Sequence, residues 1–211
     1  MKKYVKQFLV VFVCFGILVQ QIMPVNTIAV SKESIVKRAY KNFLVEKNIL
    51  WSDHYTTDSG IKFRVEDLNA DGIAELLIYD EYASNAQGQL AIYAYCSDKI
   101  KYIESYPLWK VTFYKNKKGL VYSEVTREGY YGRYEVFDGE SIKVKYTCEG
   151  WYDENFKLRD IGYYNAKRKQ VDDNKAKSAI RKLKKNAKKV TISEGAKNMY
   201  KNSKRNRNKY L

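Results

Sequence analysis

Histidine is nearly missing from this chain: His54 is the single example in 211 residues. Ser-His and Cys-His nucleophile systems depend on that residue, so any such device here must use His54. It sits in a polar stretch, residues 51–60, between patterned segments. No G-x-S-x-G elbow and no H-E-x-x-H pair occurs. Cysteine is also sparse, with three residues, one of them (Cys14) inside the N-terminal apolar run. A zinc site from one histidine and two distant cysteines is an unusual ligand set. Long apolar stretches are missing too. The longest, Phe8 to Val19, is about twelve residues, where a membrane-spanning helix needs about twenty. No internal repeat occurs at a fixed period.

That short run follows Lys2, Lys3 and Lys6 with no acidic residue before position 31. A basic head, a short apolar centre and small residues beyond it are the pattern of a secretory signal peptide. The expected leader is residues 1–30, with cleavage after Ala29 or after Ser31. Cys14 lies inside the apolar run behind Val13, which argues against lipid attachment. The expected location is therefore secreted or extracellular, with no transmembrane helix once the leader is removed.

Charge is distributed unevenly. The chain carries a formal +15. Residues 165–211 hold 17 Lys+Arg against 3 Asp+Glu, whereas residues 31–164 hold 19 against 21. A nearly neutral body carries a strongly basic end, so electrostatic attraction to a partner belongs to that end. An anionic cell-wall polymer is the expected partner of the basic C-terminal segment, and no nucleic acid is expected for an exported protein.

Apolar periodicity divides the body. Ile35, Val36, Ala39, Tyr40, Phe43 and Leu44 recur at helical spacing and predict a helix over 32–48. The period then changes to two. Strands are predicted at 61–66, 74–80, 90–96, 99–104, 109–114, 119–125, 130–137, 141–148 and 158–164. Ser97-Asp98, Asn116 to Gly119 and Asp138-Gly139 supply tight turns between them. Helical spacing returns through Ala176, Ala179, Ile180, Leu183 and Ala187, predicting a helix over 172–189. The expected fold is α+β: an N-terminal helix, one antiparallel β-meander sheet with a calcium-type loop, and a basic C-terminal helix. The expected organisation is a single domain over 31–190 and a basic, disordered tail over 191–211. Cys96 and Cys148 close two alternating apolar faces, and either pair as a disulfide outside the cell or stay separate as small buried hydrophobes. Nineteen of the twenty tyrosines follow the leader, and read either as half-buried strand formers or as an aromatic binding face.

The segment Asp67-Leu68-Asn69-Ala70-Asp71-Gly72-Ile73-Ala74-Glu75 places oxygen-bearing side chains at positions 1, 3, 5 and 9 and glycine at 6. Calcium takes six to eight oxygen ligands, and a chain supplies several only by curling around the ion. Gly72 permits that curl, having no Cβ to block it. The expected metal ligands are Asp67, Asn69, Asp71, the Ile73 carbonyl and Glu75, around a structural Ca2+. Position 12 is Ile78, so the loop is not an EF-hand. The helix pattern Ala39 to Leu44 followed by Phe63 to Ile78 resembles uncharacterised secreted proteins of Gram-positive bacteria, and the loop is similar to the calcium loops of FG-GAP and VCBS-type repeats. That resemblance implies calcium ligation by Asp67, Asn69, Asp71 and Glu75, and an exported location. Two departures stand out: Glu75 where the repeats usually carry Asp, and a single copy of the loop. The expected function is a secreted or cell-surface-associated, non-catalytic binding or structural protein stabilised by calcium. The alternative is a secreted hydrolase acting on cell wall or glycan, served by paired carboxylates such as Asp80-Glu81 or Asp153-Glu154.

Overall fold

Leu76, Leu77, Ile78 and Tyr79 are each 2 % exposed or less. Successive strand residues point to opposite faces, so this strand is covered on both sides. One sheet wet on one face does not allow that, and the computed structural model shows two. It describes residues 31–45, 60–81, 88–107, 110–126, 129–155 and 157–211, with residues 32–211 forming one compact unit. The expected leader over 1–30, the cleavage position after Ala29, His54 and the predicted helix end near Asn48 lie outside the described residues.

The strands are β1 (Ile61–Glu66), β2 (Glu75–Asp80), β3 (Gln89–Cys96), β4 (Lys99–Pro107), β5 (Lys110–Lys115), β6 (Leu120–Thr126), β7 (Tyr130–Phe137), β8 (Ile142–Tyr152), β9 (Leu158–Asn165), β10 (Gln170–Val171), β11 (Lys188–Ser193) and β12 (Tyr200–Lys201). The helices are α1 (Lys32–Phe43), α2 (Asp173–Lys184) and α3 (Lys204–Tyr210). A five-stranded sheet runs β12-β1-β2-β3-β4 and a seven-stranded sheet runs β10-β9-β8-β7-β6-β5-β11, every pairing antiparallel. The α+β expectation is thereby overturned: half of the described residues are strand, with three short helices. The physical reason is that both faces of the predicted strands need cover.

Alternation assigns the faces. Leu77, Tyr79, Leu90, Ile92 and Ala94 of the first sheet pack with Val111, Phe113, Val121 and Phe137 of the second, making the core between the sheets. Leu76, Ile78, Ala91 and Tyr93 point the other way and pack beneath Val36 and Tyr40 of α1. Leu120, Tyr122, Tyr134, Cys148 and Tyr163 form the outer face of the second sheet, covered by Ala176 and Ile180 of α2. Polar ties also cross between the sheets: Tyr106 of β4 donates to Glu135 of β7 at 2.8 Å, and Lys115 of β5 pairs with Glu66 of β1.

Local chemistry sets the joints. Ser97 and Asp98 both have positive φ (49° and 59°), as a two-residue hairpin turn requires. Asp172 caps α2 by accepting the Lys175 amide at 2.8 Å.

The C-terminal expectations need correction. The helix predicted to Lys189 ends at Lys184, Lys185 is extended, and β11 follows, pairing with β5 through Val190 and Ile192. The tail expected to be disordered carries β12 and α3. Tyr200 and Tyr210 stack with centroids 3.6 Å apart. Asn202, 3 % exposed, donates through its side chain to the Leu44 carbonyl at 3.0 Å and accepts from Arg207 at 2.6 Å. A few aromatic contacts and one buried amide therefore order a segment whose composition is almost all charge. Among the described residues, no helix is long and apolar enough to cross a membrane.

Candidate metal centre

The loop between β1 and β2 is curled by its own side chains. The Asp67 carboxylate accepts the amides of Asp71 (3.2 Å) and Gly72 (3.0 Å). Asn69 Oδ1 accepts the Asp71 amide at 3.3 Å, and Asn69 Nδ2 donates to Asp71 Oδ2 at 2.9 Å. Asp71 Oδ1 accepts the Ile73 amide at 2.7 Å. Glu75, at the start of β2 and 2 % exposed, accepts the Leu68 amide at 2.8 Å. Gly72 has φ +87°, and a Cβ there would meet nothing within 4 Å. Conformation, not space, calls for glycine at that position.

Lys32 lines the hollows beside these carboxylates but forms no ion pair with them. Among the described residues, Asp67, Asp71 and Glu75 make no ion pair, whereas the adjacent Glu66 pairs with both Arg64 and Lys115. Burial pushes the Glu75 carboxyl up to about 8, and the charges of Asp71 and Asp67 add to the push. The Tyr40 hydroxyl donates to the Ala74 carbonyl at 2.9 Å; burial, and then the Glu75 charge, raise that phenol.

The expected ligands are only partly brought together. Asp71, Ile73 and Glu75 line a polar cavity of about 220 Å³ that also meets Lys32, Asp138 and Glu140. Asp67 borders a neighbouring hollow of about 120 Å³. Asn69 is buried under the β7–β8 turn, where a Cβ on Gly139 would come within 3.1 Å of its Nδ2. Among the described residues, no group of three or more His, Cys, Asp or Glu gathers closely enough to hold a metal ion.

The donor chemistry fits a hard cation all the same. Every expected ligand offers oxygen. A carboxylate oxygen that accepts one amide keeps a further lone-pair site. The residues that would hold the ion are Asp67, Asn69, Asp71, Glu75 and the Ile73 carbonyl.

Two acids on the cavity wall escaped sequence reasoning. Asp138-Gly139 signals a turn, but nothing local says that the turn packs on a loop some seventy residues earlier. Asp138 is already engaged: it accepts the Glu140 and Ser141 amides and pairs with Lys143 at 2.9 Å, which holds its carboxyl well below the usual range. Cys96 donates its thiol to the Gly139 carbonyl at 3.3 Å, and Cys148 lies on the outer face of the second sheet. Both cysteines are free, and burial raises both thiols, Cys148 to about 11. The disulfide alternative therefore gives way to two separate thiols. Comparison of the chain with protein-family models, curated proteins and solved structures finds no match in any of the three.

Proposed function

We propose that the protein is an exported, surface-associated, non-catalytic binding or structural protein, whose two-sheet body is stabilised by one calcium ion at the 67–75 loop. In this reading, the basic C-terminal region keeps it beside an anionic cell-wall polymer. One observation carries the calcium part: three carboxylates share one short loop, none forms an ion pair among the described residues, and one of them is buried. Burying a carboxylate without a counter-charge is costly. A divalent cation would supply that charge at the loop. The oxygen spacing of Asp67, Asn69 and Asp71, with Gly72 in its left-handed turn, supports the same reading.

Calorimetric titration of the full chain tests it. Calcium should bind with a dissociation constant of about 10⁻⁴–10⁻³ M, the range of extracellular modules. An Asp67→Asn/Asp71→Asn double variant should lose that binding. Absence of a calcium isotherm in the wild type would refute the reading.

A further inference from the structure

The outer face of the seven-stranded sheet meets α2 along a hollow of about 260 Å³, lined by Tyr134, Tyr163, Lys177, Ile180, Arg181 and Lys184. It has three cations and no carboxylate. Lys177, Arg181 and Lys184 recur at i, i+4 and i+7, which places them along one side of the helix, next to the buried Ala176 and Ile180. Like charges at this spacing repel, so the row is an arrangement the helix holds against its own stability.

Lys184 is held by rings rather than by an acid. Its Nζ lies 4.8 Å from the ring centre of Tyr114, 5.1 Å from that of Tyr134 and 5.8 Å from that of Tyr122. A π face attracts an ammonium without cancelling its charge. Lys184 and Arg181 make no ion pair among the described residues. Lys177 reaches Asp173 at 3.4 Å with both side chains largely in solvent, where such a pair is weak. The hollow therefore keeps most of its positive charge, with Lys184 fixed over the tyrosines and Arg181 exposed at the rim.

The tyrosines are not offered as stacking platforms. Tyr134 and Tyr163 are each 8 % exposed. Tyr134 stacks on Tyr122 with centroids 4.6 Å apart, and Lys177 Nζ stands 5.6 Å over Tyr163. A nucleobase needs an open ring face, and these faces are taken by cations and by each other. A phosphate presents acceptor oxygens in several directions, which suits cations arriving from floor and rim. A carboxylate is planar, with both oxygens on one edge.

We propose that this hollow binds the phosphodiester groups of a polyol-phosphate polymer, with Arg181 forking onto the phosphate oxygens and Lys184 and Lys177 supplying further charge. The proposal rests on the reading that the protein works beside an anionic surface polymer, and it names the site and the chemistry.

Fluorescence anisotropy of an end-labelled glycerol-phosphate oligomer, titrated with the full chain at physiological salt, tests it. Arg181→Gln should weaken binding about fivefold, and Arg181→Gln/Lys184→Gln at least about twentyfold, as expected for lost charge-assisted hydrogen bonds. Lys175→Gln/Lys182→Gln, which removes the same charge from exposed positions on the same helix, should stay within about twofold, the residue of screened long-range attraction. Arg181 is exposed and makes no ion pair among the described residues, so its variant does not act through folding. Equal weakening in both double variants would overturn the site and leave a diffuse polyanion attraction standing. Failure of the wild type to bind would overturn both. Tighter binding of polyglutamate or of a single-stranded oligonucleotide would overturn the ligand assignment.

Discussion

Glu135 and Glu75 are both carboxylates removed from solvent, 0 % and 2 % exposed, yet they are balanced in opposite ways. Glu135, on β7, takes the Tyr106 hydroxyl at 2.8 Å and pairs with Arg133, which also approaches Glu104 at 3.8 Å. Burial pushes Glu135 up while Tyr106 and Arg133 pull against it, and Glu135 in turn raises Arg133. Glu75 accepts one amide and faces two further carboxylates. The first site is neutralised by the chain itself. The second is not: its acids form no ion pair among the described residues, and Glu75 is pushed towards its neutral form instead.

The largest expected effect breaks the first half of that comparison. Glu135→Gln would leave the half-buried Arg133 only its longer contact with Glu104 at 3.8 Å and should lower stability by about 3–5 kcal/mol, read by urea unfolding. A loss below about 1 kcal/mol would mean that the pair does not balance itself. The next effect sharpens the second half. The Glu75 carboxyl is raised from its ordinary 4.5 to about 8, so the fold favours its neutral form. Its stabilising contribution is complete below pH 4.5 and is lost as pH rises through 8. The full swing is on the order of 5 kcal/mol. With a chelator present, the wild type should unfold more easily at pH 9 than at pH 5, and Glu75→Gln should flatten that difference. An equal fall in the variant would place the titration elsewhere. A smaller effect lies away from both sites: Asn202→Ala should cost about 1–2 kcal/mol through the carbonyl left unpaired at Leu44 and raise hydrogen exchange in β12. Unchanged exchange would show that the stacked Tyr200 and Tyr210 hold the tail alone.

What could be read in the sequence was local. The i, i+2, i+4 oxygens, the Ser97-Asp98 turn and most strand limits follow from neighbours along the chain, and the structure places β1 and β7 at their predicted bounds. What could not be read depended on distant segments. The run Leu76 to Tyr79 is apolar at every position, a sign that both faces are covered, but what covers the second face comes from β5 to β7. Val190-Thr191-Ile192 after Asn186, which has φ 58°, carried a β-branched signal that the lysine-rich helical pattern masked. The tail looked featureless because Asn202 and two tyrosines do the anchoring, and no period marks them. Glu140 joins the acidic cavity, and Tyr134 meets Lys184, only through tertiary packing.

Thermal unfolding of the full chain with calcium and with chelator is the direct test. Calcium at about 100 times its dissociation constant should stabilise the wild type by about 2.7 kcal/mol, more at pH 9 than at pH 6, where Glu75 binds its own proton. Asp71→Asn should lose most of the rise. Superimposable wild-type curves with and without calcium at both pH values would contradict the account.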